Sequence, residues 1–230
     1  LGWHGAMNYQ GFMRAVWNWL NRNSEIGGGF QGLPFAMPQI SGQQLVNSMK
    51  QFNASVPWRS VTASMVLLDS HDTARFRTVV KGDVASHLSA MSMVLTYPGV
   101  PSIFAGDEIG LEGSWGEDGR RTINWEDRSQ WDHTFMAEVK KLISVRKSND
   151  ALINGGLRWI AAEKDFILYL RESKKQSILV FVSRSAVNVK IDLADLGLHV
   201  SKTLYGHAAS GSKFAVKSKS AVQAIWEITR

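Results

Sequence analysis

The stretch LLDSHDTARF, residues 67–76, decides the fold, because an apolar run ends there in a cluster of charged side chains. The preceding run is nearly continuous in β-branched and apolar residues. It therefore predicts a strand over residues 61–69 with both faces covered, as in a parallel sheet. Asp69, His71 and Asp72 would then lie at the carboxyl end of that strand, where the loops of a parallel α/β protein surround a ligand.

A second strand ends in the same way. GVPSIFAG, residues 99–106, is a short apolar run between glycines and is followed at once by Asp107 and Glu108. Because neighbouring parallel strands end at one edge of the sheet, we expect the carboxylates of both strand ends to lie close together. Such a cluster can hold a cation, a proton or a developing positive charge.

Each of these residues also has a structural alternative. Asp72, which is followed by a threonine, can simply cap a turn, and His71 can be a hydrogen-bonded structural histidine. The pair at residues 107–108 can cap a loop or form ion pairs with the basic pair at residues 120–121. The coincidence of such residues at two matching strand ends favours a functional site.

The rest of the first 150 residues alternates between helical and extended patterns. Helices are predicted over residues 6–21, 41–53, 84–97 and 134–149, with Ser41 as an N-cap. A glycine-rich loop, EIGGGFQGLP, separates the first two, and a long polar loop spans residues 106–133. The order of helices and strands with short links predicts a parallel α/β arrangement.

The pattern changes near residues 149–154. The remaining chain contains six short β-rich segments separated by polar or glycine-containing turns: LRWIAAE, FILYLRES, SILVFVSR, VNVKIDL, SKTLYG and AVQAIWEIT. This pattern predicts an antiparallel sheet or sandwich. We therefore predict two domains, an α/β domain over residues 1–150 and an all-β domain over residues 151–230.

Composition excludes several classes of protein. The chain has no cysteine, which excludes disulfides and thiolate metal sites, and it has no apolar run long enough to span a bilayer. Residues 1–150 hold 14 basic and 14 acidic residues, so the whole net charge of +6 comes from the 12 basic and 6 acidic residues of 151–230. Those basic residues are scattered along the β-rich part, so we expect neither a nucleic-acid site nor membrane binding.

Tryptophans give a weaker indication. Trp115, Trp125 and Trp131 lie in the long polar loop, and flat indole faces stack on the apolar faces of sugar rings. Trp17 and Trp19 lie on a predicted helix, where packing in the core is the default expectation.

Four segments resemble the α-amylase superfamily of glycoside hydrolases, in family order and with family spacing. LLDSHDTARF resembles the strand-seven motif, in the Ser-His-Asp form of the neopullulanase and cyclomaltodextrinase branch, and YPGVPSIFAGDEIGLEG resembles the strand-eight segment. AMNYQGFMRAV looks like the strand-six element, and GEDGRRTINWED resembles the loop after strand eight. The resemblance covers residues 6 to about 150. It implies a partial (β/α)8 TIM barrel, strands six to eight with their helices, followed by a β-sandwich.

The resemblance also implies roles for individual residues. Asp72 would stabilise the oxocarbenium-like transition state, and His71 would donate hydrogen bonds to the same sugar ring. Arg75 and Asp107 would bind or orient these groups. The family's nucleophile and acid/base carboxylates precede the Met-Asn-Tyr element, and no Asp or Glu precedes Glu25 in this chain.

We therefore expect the C-terminal part of a retaining glycosidase that acts on α-glucosidic bonds of starch-derived oligosaccharides, inactive alone, in a cytoplasmic enzyme. The alternative is a non-catalytic carbohydrate-binding or interaction module on the same scaffold. No cofactor is expected, and the calcium ligands of family members would lie outside this chain. The open barrel edges predict pairing with the rest of the barrel or with a second copy.

Overall fold

The computed structural model describes residues 4–21 and 37–229. The predicted helices are confirmed in the described residues, and Ser41 caps the second with a full capping box, in which Gln44 is the reciprocal partner. The glycine-rich loop predicted at residues 25–34 lies outside the described residues. The helices are α1 (Arg14–Leu20, preceded by a π-helical turn, Tyr9–Met13), α2 (Gly42–Ala54), α3 (Trp58–Ala63), α4 (Phe76–Val79), α5 (Val84–Thr96), α6 (His133–Lys147) and α7 (Asp150–Asn154).

The α/β part contains three short parallel segments. β1 (Met65–Val66) pairs in parallel with β2 (Val100–Pro101), and Met7 forms a parallel bridge with Met65 on the other side of β1. The backbone N–H of Met65 donates to the Ala6 carbonyl at 2.8 Å, and the N–H of Val100 donates to the Ser64 carbonyl at 2.9 Å. The segment at Met7, β1 and β2 are therefore three adjacent parallel segments.

The strand predicted over residues 61–69 is wrong at both ends, because β1 holds only Met65 and Val66 and residues 67–69 continue in irregular structure. Residues up to Ala63 belong to α3, which starts directly after Pro57, a residue whose fixed φ favours a helix start. Only Val61 of α3 is buried, so the β-branched residues there do not line a sheet.

The second strand is also shorter than predicted. It holds only Val100 and Pro101, and the N–H groups of Val100 and Ser102 donate to the Ser64 and Val66 carbonyls on either side of the proline. Gly99 before it has φ +129°, and a Cβ there would lie 2.5 Å from Val66 Cγ2, so a glycine is required for the close approach to β1.

The β-rich part is antiparallel, as predicted. Five strands pair in the order β3-β4-β5-β9-β7, and two more, β6 and β8, form a separate pair. The structure is compatible with a C-terminal β domain, while the domain boundary near residue 150 stays a prediction. The strands are β3 (Gly156–Ala162), β4 (Phe166–Glu172), β5 (Ser177–Ser183), β6 (Val187–Asp192), β7 (His199–Gly206), β8 (Lys213–Ser218) and β9 (Gln223–Thr229).

The five-stranded sheet is covered on both faces. On β5, Ile178, Val180 and Val182 pack into the core shared with the helices, whereas Leu179 and Phe181 pack into a second core with β6 and β8. This alternation follows from the two-residue period of a strand. It explains why the central strand β5 is continuously apolar.

Two buried arginines join helix α5 to its surroundings. Arg146 of α6 donates to the carbonyls of Leu95 and Gly99, and Arg171 of β4 donates to those of Thr96 and Gly155. Guanidinium groups at a helix C-terminus satisfy its free carbonyls and complement its dipole. Burial, together with the neighbouring Arg146, lowers the pKa of Arg171 to about 10.

Within residues 4–21 and 37–229, no helix combines the length and the apolar character that crossing a membrane requires.

Replacing Arg171 with Met should lower the free energy of unfolding by about 3 kcal/mol, because buried carbonyls that lose their donor cost about 1–3 kcal/mol each. Arg158→Met is the matched control, since Arg158 is 45% exposed and pairs with Glu172 on the surface. Urea unfolding measures both variants. Equal midpoints for the two would show that Arg171 does not link α5 to the sheet.

Candidate functional site

The chain leaves β1 through a tight turn at residues 70–73. The Ser70 hydroxyl accepts the N–H of Asp72 at 3.1 Å and forms a 2.7 Å hydrogen bond with the Tyr9 hydroxyl. The Thr73 hydroxyl accepts the N–H of Ser70 at 2.9 Å. Hydroxyl groups therefore hold the turn, and the Asp72 carboxylate is not its cap.

His71 and Asp72 lie together on the surface at this strand end. Their side chains are 60% and 61% exposed, and His71 Nε2 lies 3.3 Å from Asp72 Oδ1. Arg120 joins them from the long loop: its Nε donates to the His71 carbonyl at 2.8 Å, and its terminal nitrogen lies 3.5 Å from Asp72 Oδ1. An imidazole, a carboxylate and a guanidinium thus meet at one exposed point.

Arg75 lies beneath this group and is almost completely buried. Its guanidinium donates to the carbonyls of Ala105 and Gly119 at 2.8 and 3.0 Å, and to Asp107 Oδ1 at 3.0 Å. It also lies over the ring of Phe104, with 4.0 Å between the guanidinium carbon and the ring centroid. Arg75 and Asp107 are therefore brought together as a buried ion pair rather than as exposed groups.

The structure decides between the alternatives for residues 107–108. Asp107 pairs with Arg75, and the Glu108 carboxylate accepts the N–H of Gly106 at 2.8 Å. The basic pair at residues 120–121 has other partners than residues 107–108: Arg121, for example, contacts Asp118 at 2.7 Å.

A buried carboxyl pair lies under the turn. Asp69 Oδ2 accepts the N–H of Phe76 at 2.6 Å, while Asp69 Oδ1 has no donor among the described residues. Burial and the neighbouring Asp107 carboxyl raise the pKa of Asp69 well above its usual range. Burial also raises the pKa of Asp107, against the opposing effects of Asp69 and Arg75. A proton on Asp69 that is donated to Asp107 satisfies both groups beside a single guanidinium.

A cleft of about 610 Å³ opens beside His71. Its lining is mainly apolar, and its size is within the range of about 300–1,000 Å³ that is usual for small-molecule sites. The lining residues are His71, Arg75, Phe104, Ala105, Arg120, Arg121, Thr122, Ile123 and Trp125.

No group of three or more histidine and carboxylate side chains that could hold a metal ion occurs in the part of the chain that the structure describes.

Sequence reasoning did not assign Arg120, Tyr9 or Ser70 to the site. Arg120 and Tyr9 come from segments distant in sequence from the turn, so spacing alone does not place them there. The basic pair at residues 120–121 in the segment GEDGRRTINWED was the available signal for Arg120.

The buried pair predicts a pH dependence of stability. An acid whose pKa is raised on folding stabilises the protein below its unfolded pKa, and this stability is lost as pH rises through the folded pKa. Asp69→Asn retains an acceptor for Phe76 and a donor for Asp107, so its melting temperature should fall less than that of the wild type as the pH rises above about 4, the usual pKa of an aspartate. Asp192→Asn, on the surface, is the control. A wild-type melting temperature that does not fall over this range would contradict the protonated state of Asp69.

Comparison with known proteins identifies the family of the chain. The family described as alpha amylase, catalytic domain, matches residues 5–120, which is half of the chain. Cyclomaltodextrinase of a Bacillus species is 35% identical over 155 residues, covering 66% of this chain and 27% of that protein. Neopullulanase 2 of Thermoactinomyces vulgaris is 32% identical over 169 residues, covering 73% and 28%.

Among solved structures, the debranching enzyme of Nostoc punctiforme has a TM-score of 0.81 and 25% identity, over 98% of this chain and 46% of that chain. The chain thus spans less than a third of the length of these two curated relatives. With half of its residues matched by the catalytic-domain family and its motifs in family order, the chain belongs to the alpha-amylase family of glycosidases and is neopullulanase-like.

Proposed function

We propose that this chain supplies one side of the active site of a retaining glycoside hydrolase that acts on α-glucosidic bonds of starch-derived oligosaccharides. The observation that carries the proposal is the exposed His71–Asp72 pair at the end of a parallel strand. The names of the relatives, cyclomaltodextrinase and neopullulanase, support this substrate class.

In this proposal, Asp72 stabilises the positive charge that develops on the sugar ring in the transition state. A fixed carboxylate beside a developing cation lowers the barrier electrostatically. His71 donates a hydrogen bond to a hydroxyl of the same ring, and Arg120 orients the carboxylate from the opposite side.

The complete reaction needs two further carboxyl groups. A retaining mechanism uses a nucleophile and a separate acid/base about 5–5.5 Å apart. Asp69 and Asp107 do not suit these roles, since both are buried and are engaged with the backbone and with Arg75. We propose that both catalytic carboxyls belong to the remainder of a longer enzyme and that the 230-residue chain alone is inactive.

The same proposal assigns the three parallel segments to strands six to eight of a (β/α)8 barrel. Met7, Met65 and Val100 on these segments are 38%, 37% and 50% exposed, which is unusual for apolar strand residues. The rest of the barrel, or a second copy of the chain, would cover them and pair with the free strand edges. A cytoplasmic location remains part of the proposal.

A non-catalytic carbohydrate-binding module is the second candidate, favoured by the exposed Trp125 in the cleft. The two candidates differ in the role of Asp72: the hydrolase needs its carboxylate for catalysis, whereas a binding module catalyses no reaction.

In the enzyme that contains this chain, Asp72→Asn should lower kcat for maltooligosaccharides by about 10²–10³-fold, because the neutral amide cannot stabilise the cationic transition state. KM should change much less. Asp195→Asn, an exposed carboxylate on the β-rich part, is the control and should leave kcat unchanged.

Steady-state kinetics on a chromogenic maltoside measures both variants. Two results would contradict the proposal: full activity of Asp72→Asn, or turnover by the 230-residue chain alone that is lost on Asp72→Asn.

A further inference from the structure

Trp125 is the most exposed of the large apolar side chains that line the cleft. Its side chain is 61% exposed, although tryptophan is usually among the better buried residues. The neighbouring Trp131 is only partly exposed and contacts it edge-on, with 5.4 Å between ring centroids and 81° between ring planes. One indole therefore supports the other, which extends into solvent.

Hydrogen bonds of the loop hold the backbone at Trp125 in place. The Asn124 side chain accepts the N–H groups of Glu126 and Asp127 at 3.2 and 3.0 Å, which closes a turn at this point. Arg128 Nε donates to the Trp125 carbonyl at 3.3 Å, and its guanidinium lies 4.9 Å above the Trp131 ring. With the backbone fixed in this way, only the two side-chain torsions of Trp125 are ordered when the indole binds a ligand.

Trp125 lines the same cleft as His71 and Arg120. The lining of the cleft therefore combines the exposed polar groups of His71 and Arg120 with the aromatic ring of Trp125. An α-glucan chain has this mixed character, because each glucosyl unit presents hydroxyls at its edge and C–H groups on its face.

We propose that Trp125 is a stacking surface for a glucosyl unit of the α-glucan, adjacent to the unit held by His71 and Asp72. The proposal rests on the proposed function for the identity of the ligand. Trp125 would contact the glucan beyond the reacting sugar. Its contribution is therefore to the affinity for longer substrates.

The test is a titration of the enzyme that contains this chain, carrying Asp72→Asn to slow hydrolysis, with maltohexaose and with maltose, followed by ligand-observed NMR at millimolar ligand. Trp125→Ala should raise the Kd for maltohexaose about tenfold, as expected when an aromatic contact at the centre of a binding surface is removed. The Kd for maltose should change less, because a disaccharide cannot occupy the adjacent units together.

Trp115→Ala is the matched control, since Trp115 is 49% exposed in the same long loop but does not line the cleft. It should bind maltohexaose as the enzyme with Asp72→Asn alone does. Unchanged affinity in Trp125→Ala, an equal loss in Trp115→Ala, or no binding by the enzyme with Asp72→Asn alone would each overturn the inference.

The outcomes separate this inference from the proposed function. If Trp125→Ala keeps its affinity while Asp72→Asn loses kcat in the whole enzyme, the proposed stacking surface is wrong and the proposed function stands. If Trp125→Ala loses affinity while Asp72→Asn keeps its kcat, the chain binds glucans without the proposed catalytic role.

Discussion

The buried guanidinium of Arg75 is the contact on which the rest of the site depends. It joins three parts of the backbone that are distant in sequence: the turn after β1, the segment after β2 and the long loop at Gly119. Its charge is compensated by Asp107 and by carbonyl oxygens rather than by water. Removing one partner of such a buried pair costs about 3–5 kcal/mol, because the other charge is left without compensation.

The distribution of charge follows from this arrangement. Of the carboxyls at residues 69, 72 and 107, the first and last are 2% exposed, whereas the Asp72 side chain is 61% exposed. The single guanidinium of Arg75 can neutralise only one buried carboxylate. The second buried carboxyl group avoids an uncompensated charge by carrying a proton. The buried groups therefore fix the turn, and Asp72 is left as the carboxylate that can act on a ligand. The division between buried and exposed carboxyl groups therefore supports the proposed role of Asp72.

Much of the fold could be predicted from local patterns. Helical periodicity with Ser41 as a cap located α2, and apolar runs with turn residues located six of the seven strands of the β-rich part, whereas β8 was not predicted. The start of the first strand was wrong, because Pro57 initiates a helix in a segment rich in β-branched residues. The positions of His71 and Asp72 at a strand end followed from the break in apolar character. The burial of Arg75 and the approach of Arg120 did not, since both depend on contacts with residues 30 to 49 positions away.

Hydrogen–deuterium exchange of Arg75→Lys tests the central role of Arg75 most directly, with Arg158→Lys on the surface as its control. Lysine keeps the charge but cannot donate to Ala105, Gly119 and Asp107 in the same fixed geometry. We expect faster exchange at residues 70–76 and 105–121 in Arg75→Lys, with the five-stranded sheet unchanged. Exchange at those two segments that matches the wild type and Arg158→Lys would contradict the account.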